Sequence, residues 1–188
     1  MIISPADYLA NTQLPTLAKR SGAAIVYRPF RLPTLMKQVG NRPTTVECMS
    51  KLRYAGTDLA RWSRKYGVPL QHNPHLLAAD GDELLRGVLV AAQGGKAPEY
   101  TNAVFEAMWN GTRDLSQRAT LIETLEEAGL EATKLLERTT RPESIDMLEC
   151  ETAGAVERGV FGAPSFLVED ELFFGNDRLD FVAAALAA

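Results

Sequence analysis

Strand-forming sequence is confined to the two ends of the chain. Ala23-Ala24-Ile25-Val26-Tyr27 is an apolar run too short for a helix and closed by Pro29, which predicts a buried strand. Ser165-Phe166-Leu167-Val168 and Glu171-Leu172-Phe173-Phe174 flank the pair Glu169-Asp170 and predict a β-hairpin, although Glu-Asp lacks the glycine that a tight primed turn prefers. Between these ends, from about Leu32 to Arg141, the sequence is helical throughout. A sheet built from both ends must therefore hold a long helical excursion between its strands.

Helix signals complete the order of elements. Ser4 opens a helix in which Ala10, Leu14, Leu17 and Ser21 share a face, and Gly22 ends it. With the apolar stub Met1-Ile2-Ile3 ahead of it and Ala23–Tyr27 after it, this reads as a parallel βαβ unit. In the middle, Asp58 to Tyr66 runs to Gly67, Glu83 to Ala92 runs to Gly94-Gly95, and Ser116 to Ala128 runs to Gly129, each stopping on the glycine a helix end prefers; Tyr100 to Trp109 adds another helix. In the helix from Ser116, Ile122 and Leu125 point inward. Ile145, Leu148, Thr152, Ala155 and Val156 mark a further helix ending at Gly159, and Asp177 is placed to cap a closing helix from Arg178 to Ala187. Strand-helix-strand, helical insertion, then helix-hairpin-helix is by analogy the order of an α/β thioredoxin-like fold with a large all-helical domain inserted after its second strand. The thioredoxin-like domain is expected to span 1–31 and 142–188, and the insertion 32–141.

A chain of 188 residues with 46% hydrophobic and 23% charged residues has enough apolar material for a core, which excludes disorder. Its net charge of −4 gives no general attraction for phosphate backbones or anionic membranes. Neither a membrane-spanning apolar run nor a secretory signal is visible, so a cytoplasmic protein that binds neither nucleic acid nor membrane is expected. Cys48 and Cys150 form no Cys-x-x-Cys pair and are expected to be buried thiols. Asn73-Pro74 between His72 and His75 predicts a turn, and no other histidine exists to complete a metal shell. A serine hydrolase is disfavoured by the lack of a Gly-x-Ser-x-Gly elbow.

Two segments draw chemical interest. In Ser4-Pro5-Ala6-Asp7, Ser at the N-cap, Pro at the first helical position and an acid at the third form a capping box. The same hydroxyl at a helix N-terminus can also stabilise an anion such as a thiolate. In Gly159-Val160-Phe161-Gly162-Ala163-Pro164-Ser165-Phe166, a cis Ala163-Pro164 bond at the strand entrance would free the backbone of Ala163 to pair with an extended ligand.

These segments, with Tyr8-Leu9-Ala10, Gly40-Asn41-Arg42-Pro43, Lys51 with Tyr54, Asp58-Leu59-Ala60-Arg61-Trp62, Gly111-Thr112-Arg113-Asp114-Leu115-Ser116 and Phe174-Gly175-Asn176-Asp177-Arg178-Leu179, resemble the 2-hydroxychromene-2-carboxylate isomerases, relatives of kappa-class glutathione transferases in the thioredoxin-like superfamily. The resemblance spans nearly the whole chain and is most specific at its C-terminal block. A bacterial disulfide-forming oxidoreductase shares the architecture but needs Cys-x-x-Cys where this chain has Ser4-Pro5-Ala6-Asp7, so disulfide exchange is excluded there.

The resemblance implies glutathione as cofactor and a small aromatic substrate, 2-hydroxychromene-2-carboxylate, exchanged with trans-o-hydroxybenzylidenepyruvate by reversible thiolate addition to an enone. It makes Ser4 the hydroxyl at the glutathione sulfur, and puts Ala163, before Pro164, at the cysteinyl backbone. Asn176 and Asp177 are assigned to the γ-glutamyl end, Asn41 and Lys51 to the glycyl end. It also implies a homodimer. Two departures stand out: only Met1-Ile2-Ile3 precedes the Ser-Pro pair where the family has a fuller first strand, and Leu76 to Glu83 replaces the family's Phe-Pro-x-Asn-Thr type stretch. A kappa-like transferase and a non-catalytic glutathione-binding protein are the alternatives.

Overall fold

The computed structural model describes residues 4–187, with Val46 described by its backbone alone. The helices are α1 (Pro5–Ser21), α2 (Leu32–Gln38), α3 (Thr44–Glu47), α4 (Met49–Tyr66), α5 (Gly81–Gln93), α6 (Ala97–Trp109), α7 (Arg118–Glu127), α8 (Ala132–Thr139), α9 (Pro142–Glu157) and α10 (Leu179–Ala185). A hairpin of β1 (Ser165–Val168) and β2 (Glu171–Phe174) lies between α9 and a 3-10 turn at Asn176–Arg178. The glycine stops are borne out at Gly22, Gly67, Gly129 and Gly159, all in the left-handed region; after α5 it is Gly95, not Gly94, that takes it. A turn over residues 74–78 starts at Pro74 and takes in His75, as Asn73 and Pro74 predict.

The hairpin has the expected register: Val168 pairs with Glu171 and Ser165 with Phe174, leaving Glu169 and Asp170 as the loop. Glu169 supplies the positive φ, 52°, that a glycine would adopt more readily. The second predicted strand is corrected. Ala23–Tyr27 carries no strand pairing, and among the described residues the sheet has only β1 and β2. A cavity of about 790 Å³ is lined by Ala23–Phe30 on one side and by Pro164–Asp170 on another, so no ladder joins the two segments. Val26 is 72% exposed, against the expectation of burial. Met1-Ile2-Ile3, the predicted first strand, lies outside the described residues.

The core sits among the helices. α5 packs against α6, α8 and α9, and Tyr8 and Leu9 of α1 join the same cluster as Tyr100, Leu125, Leu136 and Leu148. α1 is buried over Asp7–Asn11, so the stripe expected through Ser21 holds only at Ala10; Leu14 and Leu17 line the cavity, and Ser21 is exposed. Leu125 is buried as expected, Ile122 only partly. α9 buries Leu148, Thr152 and Ala155, whereas Ile145 is exposed. Asp80 caps α5 by accepting the N–H groups of Asp82 and Glu83, both at 3.0 Å. Both cysteines are exposed, contrary to expectation. Cys48 immediately precedes α4, a helix with no buried residue, and Cys150 is turned away from the buried line Leu148–Thr152–Ala155 of α9. No described helix is long and apolar enough to cross a membrane.

Candidate functional site

Ser4 is the N-cap of α1, with extended dihedrals of −98° and 125°, and its carbonyl accepts the Tyr8 N–H at 3.3 Å. The expected capping box is not formed: the Ser4 side chain makes no capping hydrogen bond. Asp7, whose carboxylate would have to reach back to complete the box, is instead buried, and burial lifts its carboxyl above the ordinary carboxylate range. The Ser4 hydroxyl is thus not committed to the helix start. α1 packs on both the 3-10 turn and α10.

The Ala163–Pro164 bond is cis, as the sequence predicts. Three polar contacts frame it. The Pro164 carbonyl accepts the Gly175 N–H at 2.9 Å, Ser165 Oγ donates to the Gly162 carbonyl at 2.8 Å, and Asn41 Nδ2 donates to the Phe161 carbonyl at 2.8 Å. Asn41 follows α2, its N–H held by the Met36 carbonyl at 2.8 Å, and its own Oδ1 accepts the Arg42 N–H at 2.7 Å. Both ends of its amide are therefore engaged within the protein. A Cβ on Gly162 would meet the Phe174 ring at 2.5 Å, so a larger residue there would displace that ring, which lies 4.7 Å from the ring of Phe161.

Asn176 and Asp177 are shaped by Gly175. Its φ of 108° is costly for other residues, and a Cβ there would stand 2.5 Å from Asp177 Oδ1. Asn176 is buried, and its Oδ1 has no hydrogen-bond partner among the described residues. Its carbonyl accepts the Tyr66 hydroxyl at 3.2 Å. Burial, reinforced by Asp180 and Asp177, pushes the Tyr66 phenol up to about 12. Asp177 is exposed and paired with Arg178. It lies inside the 3-10 turn, with Gly175 ahead of that turn and Arg178 ahead of α10, so it is not the N-cap that the sequence suggested. Short i→i+3 geometry replaces the first turn of the expected α-helix.

The structure thus joins Asn41, Ala163, Pro164, Asn176 and Asp177 through the contacts at Phe161, Pro164 and Gly175. Lys51 stands apart, exposed on the first turn of α4, its side chain making no hydrogen bond or ion pair among the described residues. Tyr66 and the Phe161–Phe174 pair are parts of the site that the sequence reading did not assign. The aromatic at the last position before the stop Gly67 was the available signal for Tyr66. Among the described residues no three His, Cys, Asp or Glu side chains cluster as a metal site requires.

Comparison with known proteins gives a consistent picture. The DSBA-like thioredoxin domain matches residues 2–187. A 2-hydroxychromene-2-carboxylate isomerase from Sphingobium xenophagum is 35% identical over 98% of this chain and 93% of its own length. Glutathione S-transferase kappa 1 from Caenorhabditis elegans is 26% identical over 98% of this chain and 87% of its own. A solved structure of 2-hydroxychromene-2-carboxylate isomerase superposes with a TM-score of 0.88 at 28% identity, covering 98% of this chain and 90% of that one. The fold is that of a DsbA-like thioredoxin protein, mostly helical with a small sheet.

Proposed function

The chain belongs to the DSBA-like thioredoxin family and, within it, to the 2-hydroxychromene-2-carboxylate isomerases, and from that membership we propose a glutathione-dependent isomerase. Its substrate is 2-hydroxychromene-2-carboxylate or a related aromatic acid, exchanged with the open-chain trans-o-hydroxybenzylidenepyruvate form. The observation that carries the glutathione assignment is Asn176 Oδ1, a buried acceptor without a partner among the described residues. Leaving such an atom unsatisfied costs about 1–3 kcal/mol, which a ligand donor can offset. The ammonium of a γ-glutamyl group is a donor of that kind, and the Asp177 carboxylate two positions after Gly175 complements its charge.

The other residues suit the remainder of the ligand. The backbone of Ala163 would pair with the cysteinyl unit, Pro164 fixing the turn. Asn41, with its amide engaged, would hold the loop at Phe161 rather than contact the ligand, and Lys51 would face the glycyl carboxylate. Bound there, glutathione supplies a thiolate able to add reversibly to the enone of the open-chain acid, which turns a double bond into a rotatable single bond. Ser4 would donate its hydroxyl proton to the sulfur in a hydrogen bond, and the N-terminus of α1 adds partial positive charge.

Calorimetric titration with glutathione, followed by absorbance assays on the chromene acid, tests the reading. Binding and turnover that needs glutathone only in catalytic amount are expected; turnover of the chromene at full rate without it would sink the cofactor assignment. The kappa-class relative favours a second reading, in which the adduct departs as product. A stoichiometric glutathione conjugate in the mass spectrum would select that one.

A further inference from the structure

α4 is 18 residues long and buries none of them. Its hold on the protein is concentrated toward its C-terminal end, where Leu59, Trp62 and Tyr66 pack against the core. That end is firmly stopped: Gly67 takes the left-handed conformation, the Val68 N–H bonds the Ser63 carbonyl at 3.0 Å, and Ser63 Oγ donates to the Val68 carbonyl at 2.6 Å. Trp62 lies against Tyr66 with ring centroids 5.3 Å apart, and Lys65 Nζ sits 4.4 Å over the Trp62 ring. These contacts fix the phenol at the end of α4.

The turn it meets has little regular structure of its own. Asn176–Arg178 is a three-residue 3-10 turn, closed by the Arg178 N–H on the Gly175 carbonyl at 3.2 Å and tied to the Pro164 carbonyl through Gly175. The Tyr66 hydroxyl reaches it from the end of α4, donating to the Asn176 carbonyl at 3.2 Å. We propose that Tyr66 is a positioning residue: its hydroxyl latches the end of α4 onto the Asn176–Asp177 turn and so sets affinity for the γ-glutamyl end of the ligand, a proposal that rests on the glutathione reading. With a phenol raised to about 12, the donor stays protonated throughout the neutral range.

Tyr66→Phe keeps the ring against Trp62 and removes only the latch. Two measurements decide the matter. In the free protein, amide hydrogen exchange at residues 175–179 is expected to quicken by roughly two- to tenfold, the equilibrium worth of one ordinary hydrogen bond. Glutathione affinity is expected to fall, and the KM for glutathione to rise, by a similar factor, while kcat stays within about twofold because the phenol touches no reacting atom. Tyr66→Leu, which also loses the ring packing, should match that affinity loss and lower Tm further. Unchanged exchange in Tyr66→Phe overturns the latch, and faster exchange with parental affinity and KM overturns the positioning role. If the parent itself binds no glutathione, the cofactor reading fails and with it the ligand role of Tyr66, whereas the exchange result still decides whether the latch exists.

Discussion

The helical core and the rim that carries the candidate site are held together in opposite ways. Tyr100, Leu125, Leu136 and Leu148 are fully buried at 0% exposure, each surrounded by apolar neighbours from several helices. α4, in contrast, buries no residue, and the turns around Ala163 and Asn176 flank only the short β1–β2 ladder, with one hydrogen bond between Gly175 and Pro164 and one from Asn41 to Phe161 added at the rim. Burial energies sum over many contacts, so loss of a core side chain is felt as stability. A single contact on the rim contributes little to stability and can be given over to a ligand. Substitutions in the two regions should therefore separate stability from binding.

The largest effect belongs to the core. Leu148→Ala on α9 should destabilise by about 2–5 kcal/mol, the lost transfer energy plus the cavity left behind. Denaturant melts measure it, and below the transition the glutathione affinity should remain parental. A change under ~1 kcal/mol would mean that the helical core is loosely packed, and the contrast with the rim would collapse.

Asp177→Ala is the converse case. Glutathione binding should weaken by about 1.5–3 kcal/mol, the range for a hydrogen bond to a charged group. Because Asp177 is exposed and caps neither the 3-10 turn nor α10, its loss should alter stability by less than ~0.5 kcal/mol. Titration and thermal melting of one variant read both quantities. Falling stability with an unchanged dissociation constant would return Asp177 to a structural role.

Ser4→Ala sharpens the same division at the start of α1. A working serine cap is worth about 0.5–2 kcal/mol, yet the Ser4 side chain makes no capping bond, so Tm should barely move. The pKa of bound glutathione, followed by thiolate absorbance, should rise by about one unit, or ~1.4 kcal/mol. If the bound thiol starts at ~6.5, that rise cuts the thiolate fraction at pH 7 roughly threefold, while the stronger base gains nucleophilicity by nearly the same factor. Any larger fall in turnover then measures positioning of the sulfur. An unchanged thiolate pKa with full turnover would leave Ser4 without a chemical role.

What the sequence revealed follows from the same contrast. Helix stops at Gly22, Gly67 and Gly129 and the register of the β1–β2 hairpin were legible because each depends on residues close in sequence. The pairing of Ala23–Tyr27 was not, since a strand needs a partner as well as an apolar run, and the cavity of about 790 Å³ lies beside this one. Asp177 looked like a cap from its place before a helix, but the positive φ of Gly175 starts a 3-10 turn there first. The site was legible as a set of motifs rather than as a geometry. Asn41 was assigned to a ligand from its motif; that its amide also holds the Phe161 carbonyl, far away in sequence, is a proximity that no local pattern encodes. The contact of Tyr66 with Asn176 likewise depends on how α4 is docked.

The smallest expected effect tests the far end of that helix. Lys51 and Tyr66 are separated by fifteen positions along α4, about 22 Å at the helical rise per residue, so a latch at Tyr66 leaves Lys51 to act through charge alone. An exposed ammonium facing a carboxylate contributes roughly 0.2–1 kcal/mol and is screened by salt. Lys51→Ala should thus weaken glutathione binding by at most about fivefold at low ionic strength, with the difference vanishing in concentrated salt and stability unaltered. Glutathione amidated at its glycyl carboxylate makes the test specific. If Lys51 faces that carboxylate, the parent and Lys51→Ala should bind the amide equally well, because the charge that distinguished them is gone. If the variant weakens the amide and the free acid alike, Lys51 acts elsewhere on the ligand, and the glycyl end is recognised by some other part of the rim.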